Sequence, residues 1–259
     1  MEIFASYPWP DPQDAGRLAG VQSTAQAIAA SEEKQAQAWT MHGLCAGILE
    51  MALRLRGYEQ FFLDLALAPE TACGLLDRLA EMKMAFWEAA LDIMGEHLLV
   101  AVEADDLGTQ TSLLISPDMY RAYLKPRHKK VCSFIKRKCP HVRIFLHSCG
   151  AIYPLIPDLI EAGFDILNPV QVSAEGMQDT ARLKKEFGDA LVFWGGGVDT
   201  QRVLPYGTPA EVRDEVKRRL DDLAPGGGFV FSTVHNIQAD VPPENLEAMW
   251  ETFATYNRY

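Results

Sequence analysis

The chain has 259 residues, of which 48% are hydrophobic, and it carries a formal net charge of -11 with a pI near 5.0. This composition is typical of a globular protein with enough chain to bury a sizeable core. The acidic balance argues against a nucleic-acid-binding protein, whose binding face is normally basic. No apolar run reaches the roughly 18 residues that a membrane-spanning helix needs, and the acidic N-terminus shows no signal-peptide pattern.

The five cysteines show no spacing that would indicate a disulfide framework. An odd, scattered set in a chain of this length predicts reduced thiols and a cytoplasmic protein. Four of them fall on helical patterns and are expected to be core or surface thiols, namely Cys45, Cys73, Cys132 and Cys139. The fifth, Cys149, follows a predicted strand.

In chain order, residues 1–37 are predicted to form a lead-in that is first extended and then helical from about residue 18 to 36. Residues 38–259 are predicted to form one α/β domain. This domain begins with a strand that runs into a helix within 38–53, and a long helical pattern follows at 68–96.

From residue 97 onward, apolar segments of strand length alternate with helical patterns. Thr208 and Pro209 predict an N-cap and a first helical position. The predicted strands lie near residues 40, 100, 144, 166, 193 and 230, and the later helices span 116–139, 152–163, 179–188, 208–224 and 242–257. Such alternation is typical of βαβ units and a parallel sheet. We therefore predict a TIM-barrel-like (β/α)8 fold that is incomplete, with about six of eight strands.

Neither the basic nor the glycine-rich segments predict a phosphate site. The basic clusters 125–130 and 136–138 lie on one predicted helix and are expected to form a solvated face. The run Gly195-Gly196-Gly197 allows backbone to approach a ligand closely, but it lacks the GxGxxG spacing of a dinucleotide site.

The segment HSCG places His147 and Cys149 at the end of a predicted strand. Active sites of βα barrels lie at this end of the strands, because the βα loops open there. Strand residues two positions apart point to the same side, and zinc takes nitrogen and sulfur ligands while a catalytic site keeps one position open. The pair is either two metal ligands or a satisfied histidine beside a buried thiol, and these residues alone leave both interpretations open.

His235 follows the last predicted strand. In a barrel this strand opens on the same cavity as the strand of His147, so His235 is a candidate third metal ligand. A histidine that hydrogen-bonds a substrate carbonyl or carboxylate explains the position equally well. Asn168, Gln171, Asn236 and Gln238 lie at strand ends of the same predicted rim and are candidate substrate-binding residues.

The segment EADD supplies three carboxylates in four residues, Glu103, Asp105 and Asp106. Their candidate roles are a fourth metal ligand, a general acid or base, or an anchor for cationic groups of a substrate. The alternative is that they only solvate a loop and favour the start of a helix. We expect catalytic residues among these three.

Four segments together resemble the uroporphyrinogen decarboxylase (URO-D) superfamily, and most closely its cobalamin-dependent methyltransferase branch. They are EADDLGTQTSLLISPDMYRAYLKPRHKKV, FLHSCGAIYPLIPDLIEAGFDILNPVQVSA, FWGGGVDTQRVLPYGTPAEVRDEV and HNIQADVPPENLEAM. The resemblance runs from about residue 38 to the end of the chain, in order and with similar spacing.

The resemblance implies a methyltransferase that exchanges a methyl group between a corrinoid and a thiol, amine, ether or folate-type acceptor. Several such enzymes use zinc, and they receive the methyl group from methylcobalamin or a related corrinoid on a partner protein. In the thiol methyltransferases of this branch the ligands resemble a His-x-Cys after one strand and a Cys near the last. His147 and Cys149 match the first pair, and His235 falls where the second Cys is expected.

The same resemblance leaves two alternatives. One is a uroporphyrinogen decarboxylase, which needs no metal and carries a histidine in its last strand that His235 could match. The family's N-terminal quarter, with its substrate-anchoring Arg and Asp, has no counterpart here, and its absence would explain the two missing strands. The other alternative is a non-catalytic subunit, because an open sheet would need a homo-oligomer or a second chain to cover its edges.

Overall fold

The computed structural model describes residues 6–31, 40–44 and 46–256. Within these residues six strands form one sheet in which neighbours follow the order of the chain. The strands are β1 (Thr40–His42), β2 (Val100–Ala104), β3 (Arg143–His147), β4 (Ile166–Asn168), β5 (Val192–Trp194) and β6 (Phe229–Val230). Strand β1 pairs in parallel with β2, and β5 pairs in parallel with both β4 and β6. The predicted α/β class and the six strand positions are confirmed.

The described residues divide into two compact units. The first unit combines the described residues of Met1–Asp105 with Pro117–Phe145 and Glu161–Phe164. It contains the helices α1 (Val21–Ala29), α2 (Ile48–Arg56), α3 (Tyr58–Leu67), α4 (Pro69–Met94) and α5 (Lys125–Lys138). A 3-10 turn at Ala15–Leu18 precedes α1. A helical turn at Pro117–Met119 and a π turn at Tyr120–Leu124 precede α5. Its core is built on α4, which buries Leu76, Phe86 and Trp87 along one face.

Helix α3 is absent from the elements that the sequence pattern predicts. Its separation from α2 depends on Gly57, whose φ of 84° lies in the left-handed region that favours glycine. The N–H of Gly57 donates to the carbonyl of Leu53, and this is the last hydrogen bond of α2. The carbonyl of Gly57 accepts from the N–H of Phe61 in the first turn of α3. Of the predicted lead-in helix, α1 ends at Ala29, whereas positions 32–36, the predicted domain boundary after residue 37 and Cys45 lie outside the described residues.

The second unit combines Asp106–Ser116 and Leu146–Ile160 with the described residues of Asp165–Tyr259. A 3-10 turn at Tyr153–Leu155 precedes helix α6 (Ile156–Ala162), of which residues 156–160 belong to this unit. The remaining helices are α7 (Thr180–Phe187), α8 (Val203–Tyr206), α9 (Pro209–Leu223) and α10 (Pro243–Tyr256). Its hydrophobic core contains Val198, Leu204, Val212, Val216, Leu220, Val241 and Ala248. Thr208 caps α9 and Pro209 is its first residue, as predicted.

No helix in the part of the chain that the structure describes is both long enough and apolar enough to cross a membrane. Among the described residues, Cys73, Cys132, Cys139 and Cys149 form no disulfide. Burial raises the pKa of the Cys139 thiol, which favours the neutral, unreactive form of this side chain.

The predicted solvated face of the basic cluster is wrong for two of its residues. Arg127 and His128 are buried on α5, where Arg127 forms an ion pair with Asp77 and His128 Nε2 lies 3.0 Å from Asp105 Oδ2. Arg127 lies four positions and His128 three positions before the buried Val131, so helical periodicity places both on the inward face. Because most residues of this segment are charged, its amphipathic pattern is difficult to recognise in the sequence.

Candidate metal centre and neighbouring cavity

Three side chains with metal-ligating atoms converge where β3 ends. His147 is the last residue of β3, Cys149 follows two positions later, and His235 lies after β6. One ligand atom from each of the three lies within 4.8 Å of the others. The imidazole rings of the two histidines meet edge to face, with centroids 5.6 Å apart. The structure therefore brings together the three residues that the sequence suggests as metal ligands.

The donor set and the distance between His147 and Cys149 fit zinc. His147 Nε2 lies 3.4 Å from Cys149 Sγ. Zinc bonds of about 2.3 Å to sulfur and about 2.0 Å to nitrogen, at a tetrahedral angle, separate two such atoms by roughly 3.5 Å. Two nitrogen donors and one thiol are borderline-soft ligands, and three protein ligands with one open position is the usual composition of a catalytic zinc site.

The loop that carries Cys149 is held by two side chains that the sequence suggests for other roles. The N–H of Cys149 donates to Asp106 Oδ1 at 2.8 Å, and the N–H of Gly150 donates to Gln171 Oε1 at 2.8 Å. Asp106 is a candidate catalytic residue and Gln171 a candidate substrate-binding residue by position. In this structure one oxygen of each is engaged in fixing the backbone around Cys149.

A cavity of about 550 Å³ borders this centre. Its walls include His147, His235 and the candidate substrate-binding residues Asn168 and Asn236, together with Ser232, Thr233, Val234 and Ile237. Gln238, the remaining candidate, contacts this wall through its Nε2, which donates to the carbonyl of Asn236 at 3.0 Å. The hydroxyl residues Ser232 and Thr233 are absent from the sequence-based selection, although their place directly after β6 could have indicated them.

Glu103, a candidate catalytic residue by sequence, is buried in the first unit with both carboxylate oxygens occupied. Lys83 Nζ lies 2.6 Å from Glu103 Oε2, and Trp87 Nε1 donates to Oε1 at 2.5 Å. Lys83 Nζ also donates to the carbonyl of Leu44 at 3.1 Å. The sequence offers no sign of this ion pair, because Lys83 lies on an amphipathic helix where lysine is ordinarily solvated.

Asp105, the second candidate, is fully buried at the N-terminus of α2. Its two oxygens accept from the N–H groups of Leu49 and Glu50, each at 3.0 Å, and Oδ2 also lies 3.0 Å from His128 Nε2. A carboxylate here satisfies two free N–H groups and interacts favourably with the helix dipole. A Cβ at Gly47 would lie 2.1 Å from Asp105 Cγ, so only glycine fits beside it.

Comparison with known proteins decides the family. The family model of uroporphyrinogen decarboxylase (URO-D) matches residues 2–256 of this sequence. The chain belongs to the uroporphyrinogen decarboxylase family. The predicted resemblance is thereby confirmed at the level of the superfamily.

Individual relatives are distant. The uroporphyrinogen decarboxylase of Pseudoalteromonas translucida is 28% identical over 199 residues, which cover 73% of this chain and 51% of that protein. That of Saccharophagus degradans is 25% identical over 196 residues, again 73% of this chain and 51% of the relative. This chain thus spans about half the length of these curated relatives.

A solved structure shows a similar fold. The methyltransferase from Methanosarcina mazei superposes with a TM-score of 0.66 at 22% sequence identity, covering 92% of this chain and 65% of that one. At this identity the similarity establishes the fold alone. It supports the TIM-barrel-like architecture predicted from the alternating strands and helices.

Proposed function

We propose that this chain is a zinc-assisted methyltransferase that exchanges a methyl group between a corrinoid protein and a small acceptor. The observation that carries the proposal is the convergence of His147, Cys149 and His235 within 4.8 Å. A second support is the cavity of about 550 Å³ that these histidines border, which has room for a small substrate.

His147, Cys149 and His235 would hold the zinc ion. When bound, zinc supplies a Lewis acid that polarises the acceptor heteroatom or lowers its pKa. Asp106 keeps the Cys149 backbone in place through its hydrogen bond to the N–H. Asn236, Ser232 and other polar groups of the cavity wall would orient the acceptor by hydrogen bonds.

The proposed reaction rests on the sequence resemblance to the methyltransferase branch, and the solved fold neighbour, which is named a methyltransferase, is compatible with it. A corrinoid on a partner protein is the methyl donor that this resemblance suggests. The third ligand differs from the Cys that the thiol methyltransferases of this branch carry, because His235 occupies that place. We therefore propose a heteroatom acceptor without restricting it to thiols.

Uroporphyrinogen decarboxylation is the second candidate, because the curated relatives that this chain matches carry that name. In this alternative His235 and the acidic end of β2 would contact a porphyrinogen, and no metal would be required. Since Glu103 and Asp105 are engaged with Lys83, Trp87 and His128, two of the three acidic side chains have their oxygens committed to protein partners.

One pair of assays separates the two functions. Zinc-loaded protein would be mixed with methylcobalamin and a panel of small thiols, amines and a folate-type acceptor, and loss of the methyl group would be followed by absorbance. Methyl transfer that disappears after chelation, and in the Cys149→Ala variant but not in Cys73→Ala, supports the proposal. Porphyrinogen decarboxylation that persists in chelator, with no methyl transfer, would replace it by the second candidate.

A further inference from the structure

The side chain of Asn168 links the candidate metal centre to the neighbouring strand. Asn168 is the last residue of β4. Its Nδ2 donates to the carbonyl of Trp194 at 2.8 Å, and its Oδ1 lies 2.6 Å from His147 Nδ1. Sequence position alone suggests that Asn168 binds substrate, but these two contacts give its amide a different task.

The chemistry of the two contacts fixes the position of a proton. The carbonyl of Trp194 can only accept, so the NH2 group of Asn168 must face it, and the amide oxygen must face His147. An oxygen can accept only from a protonated ring nitrogen, and neutral imidazole carries one proton. His147 must therefore hold its proton on Nδ1 and leave the lone pair of Nε2 free.

The free lone pair of His147 Nε2 is next to the thiol of Cys149. Nε2 of His147 is the atom that lies 3.4 Å from Cys149 Sγ, so the thiol can donate to it when no metal is bound. A metal ligand needs the same unprotonated nitrogen, and histidine ligands commonly donate their other N–H to a fixed acceptor of the protein.

Asn168 is itself held on both sides. Its backbone carbonyl accepts from the N–H of Ser148 at 2.8 Å. Beyond the Trp194 carbonyl, Gly195 has a φ of 115°, and a Cβ there would lie 2.2 Å from the carbonyl oxygen of Pro169. The backbone that accepts from the amide is thus packed directly against the backbone that follows Asn168.

We infer that Asn168 is a positioning residue that sets the tautomer of His147 and thereby presents Nε2 as a ligand atom. Its effect on zinc affinity rests on the proposed function, whereas its effect on the tautomer does not. Asn168 would act through His147 and would not contact the metal itself.

Nitrogen-15 NMR of metal-free protein with labelled histidine tests this directly. At about pH 8, where histidines are mostly neutral, long-range proton–nitrogen correlations distinguish a protonated Nδ1 from a protonated Nε2. The His147 signals are assigned with His147→Gln. In wild-type His147 we expect a protonated Nδ1 and an unprotonated Nε2. In Asn168→Leu we expect a substantial population of His147 with the proton on Nε2. The signals of His128, which contacts Asp105, should be the same in both proteins and serve as the internal reference.

Asn168→Asp separates the acceptor from the donor. Aspartate retains an oxygen for His147 but cannot donate to Trp194, so it should restore the Nδ1-protonated form that Asn168→Leu loses. Zinc affinity, measured by competition with a chelator, should fall about 10- to 100-fold in Asn168→Leu and recover in part in Asn168→Asp.

A wild-type His147 protonated on Nε2 would overturn the inference, as would a tautomer unchanged by Asn168→Leu in a variant whose circular dichroism shows a folded chain. The expected tautomer together with no zinc binding by the wild type would contradict the proposed function and leave the role of Asn168 standing. The two ideas can therefore fail separately.

Discussion

Nε2 of His147 and Sγ of Cys149 lie 3.4 Å apart, which is close to the separation of two ligands on one tetrahedral zinc ion. Both belong to the short segment HSCG, in which His147 is the last residue of β3 and Cys149 lies in the loop that follows. The third member, His235, comes from a segment 86 residues further along the chain (235 − 149). Convergence of a local pair and a remote residue is the feature on which the account rests.

Replacement of His235 tests the third ligand. His235→Ala should lower zinc affinity by more than about 100-fold, since a direct ligand contributes more than the outer partners of a metal site. His235→Cys should remain within roughly tenfold of the wild type, because thiolate is also a good zinc ligand. Chelator competition gives both values, with His97→Ala as the histidine control. Equal affinity in wild type and His235→Ala would remove His235 from the centre.

Asp105 should be essential for stability. Its carboxylate accepts two N–H groups of α2 and contacts His128, all in a fully buried position. Asp105→Asn turns an NH2 group toward at least one of these donors, and we expect a loss of about 3 kcal/mol in the free energy of unfolding. Urea denaturation measures it, and Asp118→Asn is the control because Asp118 is almost fully exposed. A change within about 0.5 kcal/mol, the usual range for surface substitutions, would contradict this role.

The buried Lys83–Glu103 pair should show strong coupling. Glu103→Gln leaves the ammonium of Lys83 buried without its counter-ion, which costs about 3–5 kcal/mol of stability. Lys83→Met leaves a buried carboxylate instead and should be similarly destabilising. The double variant should lose clearly less than the two single losses added together, as denaturant unfolding of all four proteins would reveal. Additive losses would show that the pair does not act as one unit.

The cap of α9 predicts a pH dependence. Hydrogen bonds from the backbone and side chain of Thr208 lower the pKa of Glu211 below its ordinary value of 4.5. The carboxylate therefore contributes stability above pH 4.5, and this contribution is lost as pH falls through the lower pKa of the folded state. Glu211→Gln can keep the cap without titrating.

The measurement is the difference in unfolding free energy between wild type and Glu211→Gln from about pH 7 to about pH 3. The wild type should lose its advantage toward the acidic end of this range. Since other titrating groups are common to both proteins, their effects cancel in the difference. A difference that does not change with pH would show that the charge of Glu211 has no part in the cap.

Sequence reasoning found the sheet because buried parallel strands read as short apolar runs between helices. It placed all six strands, although the last of them, β6, is only the two residues Phe229–Val230. The apolar residues Phe231 and Val234 lie in the loop that follows this strand. Helix α3 is not predicted from the sequence, because its start depends on the backbone conformation of a single residue, Gly57.

At the site, the sequence predicts contacts within a short segment but not contacts between residues far apart in the chain. The proximity of His147 and Cys149 could be expected because they are two positions apart at the end of β3. The cap that Asp105 provides depends on residues about 55 positions earlier, and the Asn168–His147 contact spans 21 positions between two strands. Nothing in the local sequence distinguishes an asparagine that binds substrate from one that holds a histidine ring.

The zinc content of the purified protein tests the central claim most directly. Wild type and Cys73→Ser, purified from zinc-containing medium, should each hold about one zinc per chain by elemental analysis, whereas Cys149→Ser should hold less than about a tenth of that. Cys73 is a half-buried thiol on α4 and serves as the matched control. Wild-type protein that takes up no zinc even when zinc is supplied in excess, or Cys149→Ser that binds it as well as the wild type, would contradict the account.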